Sequence, residues 1–302
     1  MTGPVSPDFR CAQASLDAGD DLAGTASTLR SFLLIEAEGA WGVQALRAGL
    51  LPPAASEWLR GVESRHRVRP LLIRRSGRRT DGAAPVSVFV AHTAPGNRFL
   101  EHRVLDDLQA LPELDTDVAR VGRGERPGWS PYAGSLFLTC THGRHDACCA
   151  ERGRPVWHAM QHAEPERSWQ VSHIGGDRYA ANVVVLPEGL YYGRLRPRDA
   201  PGLVEAHRRG EVLLEHLRGR TAWPFPVQAA EIHLRRHTGE LGEDRLHLVD
   251  AHRNGSLTVA RFALDRREWQ VTVRTSALPP RRLTCSASGP AGSLLHELVD
   301  LR

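Results

Sequence analysis

The chain contains no lysine; all 39 of its basic side chains are arginine. Together with its richness in alanine, glycine and proline, this points to a GC-rich coding bias rather than a functional demand. The excess of basic over acidic side chains is also small. A formal net charge of +4 is too small to argue nucleic-acid binding. The arginine pairs Arg74–Arg75, Arg78–Arg79, Arg235–Arg236 and Arg281–Arg282 are scattered, without interleaved aromatics, and read as solvated strand ends and loops. Apolar runs are as short as Phe32–Ile35 and Val183–Leu186, so no membrane span is expected. The first ten residues lack a basic start followed by an apolar core, so no signal peptide is expected and the cytoplasm is the expected compartment. No C-x-x-C pair opens a helix, which disfavours a thioredoxin-type thiol enzyme. No glycine-rich nucleotide fingerprint appears, so neither flavin nor nicotinamide is expected. No pair of carboxylates stands out for glycoside hydrolysis.

What is present is an ordinary globular composition, 41% apolar and 25% charged over 302 residues, enough for about two domains. Two compositional breaks organise it, Gly122–Tyr132 and Trp223–Pro226. They divide the chain into an N-terminal α/β region (1–125), a central region (130–222) and a short β-rich appendage (226–302). No internal repeat is visible. In the first region Ser31–Glu36, Leu71–Arg74, Val86–His92 and Phe99–Leu105 read as strands, with helices over Ala54–Ser64 and around Leu105–Leu111. In the central region, strand Ser135–Thr139 leads to Cys140, and a helix is expected over Glu151–His162. Strand Trp169–His173 follows, and a hairpin turns on Pro187–Glu188–Gly189. Asp199 would cap a helix running to about Leu217. This β-α-β-β-α order fits a thioredoxin-like domain, and the fold class is mixed α/β. In the appendage Leu257–Leu264, Trp269–Thr275 and Arg282–Cys285 read as strands.

The five cysteines are Cys11, Cys140, Cys148, Cys149 and Cys285. An odd number in a cytosolic chain argues for metal or redox use over a disulfide framework. The dense feature runs from Cys140 through His142, Arg144, His145 and Asp146 to Cys148 and Cys149; Ser172, His173, Gly175, Gly176 and Asp177 follow at a distance. Thiolate and imidazole together suit zinc or iron–sulfur chemistry. Eight residues separate Cys140 from Cys149, more than the two to four of a zinc knuckle, and such a loop can wrap an object larger than one ion. The Gly175–Gly176 pair allows a tight turn that brings backbone N–H groups close. His142 and His145 are expected to face water, and Arg144 is read as a source of charge-assisted N–H groups for the site or as a docking point for an acidic partner. Cys11 is expected to be a small semi-buried residue, and Trp41, Trp157 and Trp169 core.

These residues resemble the sucrase/ferredoxin-like family, whose central domain is a thioredoxin-like ferredoxin. The resemblance is carried by Cys140 and Cys149 in C-x8-C, His173-x-Gly-Gly, Arg178–Asn182 and the hairpin Val185–Gly193. Gly24–Ala26 and Leu33–Gly42 add to it. It implies one [2Fe–2S] cluster as cofactor, Cys140 and Cys149 on one iron and His173 on the other. The family's second histidine position falls on Asp177, so the fourth ligand is open among Asp177, Cys285, Cys148 and a nearby histidine. It further implies an electron carrier served by an external redox partner, a reductase or a ferredoxin-type donor, with neither nucleic acid nor membrane involved. The alternative is a zinc-binding or cluster-free thioredoxin-fold protein with a structural or thiol-redox role. Imidazole in place of thiolate makes a cluster less negative and raises its potential above that of an all-cysteine ferredoxin.

Overall fold

A short helix, α1 (Cys11–Asp17), precedes the first strand in the computed structural model, which describes residues 8–75 and 85–302. The Arg78–Arg79 pair lies outside the described residues. Strand β1 (Ser31–Glu36) has five of its six residues buried, and α2 (Pro53–His66) packs Leu59 and Val62 onto it and its neighbours. Then come β2 (Val68–Arg74), β3 (Val86–His92) and β4 (Phe99–Leu105). The helix expected near Leu105–Leu111 is instead a 3-10 stretch, Leu108–Leu114, followed by α3 (Asp115–Gly122). Pro112 lies inside that stretch and has no N–H for an α-helical bond, so the regular helix begins only at Asp115. Strand β1 is parallel to β2 and antiparallel to β3, and β3 is antiparallel to β4, giving the order β2-β1-β3-β4.

After the two-residue strand β5 (Ser130–Pro131), the central region repeats that plan. It contains β6 (Leu136–Cys140), α4 (Ala147–Ala163), β7 (Ser168–Val171), β8 (Val183–Leu186), β9 (Leu190–Tyr192) and α5 (Ala200–Arg208). Strand β6 is parallel to β7 and antiparallel to β8, and β8 is antiparallel to β9. The resulting order, β7-β6-β8-β9, is the thioredoxin-like arrangement. It matches the first unit strand for strand, although the sequence shows no repeat. The two units join edge to edge where β2 pairs antiparallel with β7 through Ile73↔Val171 and Arg74↔Gln170. With β10 (Leu217–Arg220) they form one ten-stranded sheet, β10-β9-β8-β6-β7-β2-β1-β3-β4-β5.

The sheet curls strongly. Thr93, just past β3, hydrogen-bonds Thr221, just past β10, at 2.8 Å. Its inner face closes as a core of strand residues that includes Phe32, Leu34, Phe89, Leu138, Trp169 and Tyr191. The helix expected to run from Asp199 to Leu217 is much shorter. Gly210, at φ +68°, ends it, and Leu217 opens β10. Helix α6 (Phe225–Thr238) had no counterpart among the expectations. Beyond it, β11 (His247–Asn254), β12 (Leu257–Leu264), β13 (Arg267–Arg281) and β14 (Ala291–Leu301) form an antiparallel meander. Its Phe262 and Val271 pack with Ala230 and Ile232 of α6. Of the arginines expected in solvent, Arg235 is fully buried and paired with Glu231 at 3.0 Å. Among the described residues, no helix is long and apolar enough to cross a membrane.

Candidate metal centre

Three segments of the second unit build the site. Cys140 is the last residue of β6. The chain turns through 141–146 and enters α4, whose N-cap is Asp146, accepting the Cys148 N–H at 2.9 Å. The helix thus starts four residues before the expected Glu151, and Cys148 and Cys149 sit on its first turn, where the helix dipole favours thiolate. An aspartate just before the cysteines is the N-cap signal that would have located this start. Helix and strand approach so closely that a Cβ on Gly153 would lie 2.0 Å from the Cys140 carbonyl oxygen. The third segment is the turn after β7, where Gly175 and Gly176 both have left-handed φ, +92° and +80°.

The ligand atoms of Cys140, Cys149 and His173 lie within 4.8 Å of one another. Asp177 joins them, its Oδ1 at 3.1 Å from Cys149 Sγ and 3.0 Å from His173 Nδ1. That Nδ1 is buried without an aligned hydrogen-bond partner. Both thiols are almost wholly buried. The hydrogen bond from Cys149, helped by His173, holds Cys140 well below the ordinary thiol range despite its burial. The same bond, with burial and Asp177, pushes Cys149 up. Burial alone would lower His173, but Asp177 and Cys140 outweigh it and raise the imidazole to about 9.

Sequence reasoning misplaced several neighbours. Cys285 is not in this group; its Sγ lies 3.4 Å from Cys148 Sγ and 3.6 Å from Cys11 Sγ, in a loop after β13. Adjacent positions on a helix point about 100° apart, so Cys148 and Cys149 serve different clusters. His142 is buried, not in water: its Nδ1 accepts the His173 backbone N–H at 3.2 Å and its Nε2–H donates to Gly42 O at 2.8 Å. His145 stacks on His173 with centroids 3.8 Å apart. Arg144 is exposed, and Cys11, expected to be semi-buried, is fully buried.

Arg218, which no motif flagged, anchors the turn from behind. Its guanidinium, fully buried, donates to Gly175 O (3.1 Å), Asn182 Oδ1 (2.9 Å), Thr25 Oγ1 (3.1 Å) and Thr25 O (2.5 Å). Gly176 is required beside it, since a Cβ there would meet Arg218 Nη2 at 2.2 Å. From the first unit, the loop after β1 reaches over: Trp41 sits edge-on to His142, with ring centroids 5.8 Å apart. A cleft of about 620 Å³ opens beside the imidazoles, lined by His142, His145 and His173 and by Arg47, Arg60, Arg67 and Arg69, with Glu63 the acidic residue among its lining.

Fold and site together define a thioredoxin-like protein with a buried cysteine–histidine group of metal-binding character. The sequence profile of the sucrase/ferredoxin-like family matches residues 22–219, about two thirds of the chain, and the protein belongs to that family. Among curated proteins, the altered inheritance of mitochondria protein 32 of Meyerozyma guilliermondii is 30% identical over 95 residues, 28% of this chain and 34% of that protein. Its namesake from Debaryomyces hansenii is also 30% identical over 95 residues, covering 28% and 35%. The match thus spans about a third of the length of these relatives. Among solved structures, a thioredoxin-like [2Fe–2S] ferredoxin from Aquifex aeolicus aligns with 28% of this chain and 91% of its own, at 21% identity and a TM-score of 0.25. Its wild-type structure at 1.5 Å aligns with 28% and 97%, at 23% identity and a TM-score of 0.24.

Proposed function

We propose that the protein is an electron carrier that holds one [2Fe–2S] cluster through Cys140, Cys149, His173 and Asp177. The observation that supports it most is the convergence of two buried thiols, an imidazole and a carboxylate from three segments into one small group. The donor chemistry fits, because sulfide-bridged iron takes thiolates and, in mixed centres, imidazoles. Such a cluster supplies one-electron exchange. The protein's own residues do the rest: the end of β6 presents Cys140 and the first turn of α4 presents Cys149, Arg218 fixes the 173–177 turn, and the loop bearing Trp41 covers His142. The thiols are buried and the imidazoles border the cleft, so the cleft is the face for electron exchange with a redox partner. Exposed Arg47, Arg60 and Arg67 suit an acidic reductase or ferredoxin-type protein. The cytoplasm is the compartment we propose, where five unpaired cysteines stay reduced.

Anaerobic purification, an absorption spectrum and counts of iron and acid-labile sulfide test this reading. About two irons and two sulfides per chain with visible bands are expected. Cys140→Ser and Cys149→Ser should each abolish the bands, Asp177→Ala should weaken retention of the iron, and Cys285→Ala should retain it. A colourless protein carrying zinc on these residues would replace electron transfer by a structural role. The midpoint potential is expected above about −400 mV, and a value at that plant-type level would remove His173 from the ligand set.

A further inference from the structure

We propose that Cys11, Cys148, Cys285 and Asp146 form a second, separate metal site that binds one zinc ion. The three thiols come from remote parts of the chain: the start of α1, the first turn of α4 and the loop between β13 and β14. Their ligand atoms and a carboxylate oxygen of Asp146 all lie within 4.8 Å of one another.

The spacing is that of a tetrahedron. Zn–S bonds of about 2.3 Å place sulfurs about 3.8 Å apart, and a Zn–O bond of about 2.1 Å places that oxygen about 3.6 Å from each sulfur. Cys148 and Cys285 are 3.4 Å apart and Cys11 and Cys285 3.6 Å, while Cys11 Sγ lies 3.6 and 3.7 Å from the two Asp146 oxygens. A disulfide would need about 2.05 Å. Backbone groups already orient the set. The Cys148 N–H donates to Asp146 Oδ1 at 2.9 Å, the Cys285 N–H to Oδ2 at 2.7 Å, and the Cys11 N–H to Cys285 Sγ at 3.5 Å. Each carboxylate oxygen keeps a second lone pair for the ion, and outer hydrogen bonds of this kind hold metal ligands in place. Three thiolates with one carboxylate suit Zn²⁺; a hard oxygen donor is a poor partner for Cu⁺. Bound there, zinc would pin α1 and the C-terminal loop to the N-terminus of α4, one residue from Cys149.

Metal analysis of the full chain tests the site independently of the iron group. After zinc loading and a chelator wash, about one zinc per chain is expected, falling to below about 0.2 in Cys11→Ser and in Cys285→Ser with iron unchanged. The Cys140→Ser/Cys149→Ser chain, free of iron colour, should take up one Co²⁺ with thiolate charge-transfer bands that zinc then bleaches. Should the single variants fail to fold, thiol alkylation of the wild type decides, with Cys11, Cys148 and Cys285 protected until chelator is added. No zinc retained and no cobalt–thiolate band would overturn the proposal. So would iron lost together with zinc in Cys285→Ser, or a disulfide among the three in protein kept anaerobic.

Discussion

Arg218 shows how a single side chain positions chemistry it does not perform. Four acceptors from three segments converge on its buried guanidinium, and they include the backbone of the turn that carries His173 and Asp177. Lysine keeps the charge but lacks the planar fork. Arg218→Lys should therefore leave about two acceptors unsatisfied, cost about 2–4 kcal/mol and raise the loss rate of iron, and denaturant unfolding with iron-release kinetics checks both. Retention at the wild-type rate would mean that the turn holds itself. Glu188 offers a test by pH. Burial, reinforced by Glu243, lifts its carboxyl from 4.5 to about 7, and its Oε2 is buried without a partner. Between those values the folded chain keeps a proton that the unfolded chain has released, so stability falls as pH rises through this window and levels off above it. Glu188→Gln removes that dependence and should gain on the wild type by about 2–3 kcal/mol between pH 4.5 and pH 7. Urea unfolding across this range would show it, and parallel profiles for the two proteins would contradict it.

At the scale of elements, the junction of β6 with α4 is the critical one. A methyl on Gly153 has no room against the Cys140 carbonyl, so Gly153→Ala must push the helix off the strand end. The expected cost is roughly 1–3 kcal/mol, with iron content falling more than the helix signal in circular dichroism. Full iron loading would show that the junction can yield. The same region shows what the sequence made legible. The glycine turn and the hairpin are local signals, and each led to the right element, whereas the C-x8-C segment hid the start of α4 at Ala147. What escaped was set by tertiary context. Pro224 and Pro226 read as a break, yet they occupy the start of α6, where a missing N–H costs nothing. The buried face of α6 carries Gln228, Glu231 and Arg235, so no clean apolar stripe marked it. Leu213, Leu214 and Leu217 had helical spacing, but Gly210 had already ended the helix. Cys285 looked chemically suited to the group of Cys140, Cys149 and His173, and only the path of β13 takes it to Cys11 and Cys148 instead.

At the scale of the molecule, two units share one strand order, and only the second carries the cysteines and histidines of the site. The first contributes what surrounds them: the loop bearing Trp41 and Gly42, and the arginines of α2 and its flanks that border the cleft. The repeat is one of backbone topology, so no residue-level periodicity could reveal it. This division has a kinetic consequence. A net charge of +4 gives only a weak overall field, so the proposed steering of an acidic partner would rest on the local group Arg47, Arg60 and Arg67, set against Glu63. Replacing the three arginines by glutamate should lower the second-order rate of electron exchange with an acidic ferredoxin-type protein by about tenfold or more at low salt. The wild-type rate should fall as ionic strength rises past about 0.1 M, where screening operates within 10 Å, and the triple variant should lose that fall or reverse it. The midpoint potential is measured beside the rate, since three charge reversals in the cleft that His173 lines should lower it and change the driving force. Equal rates and equal salt dependence in the two proteins would place the exchange surface away from the cleft and leave its basic rim without a role in electron transfer.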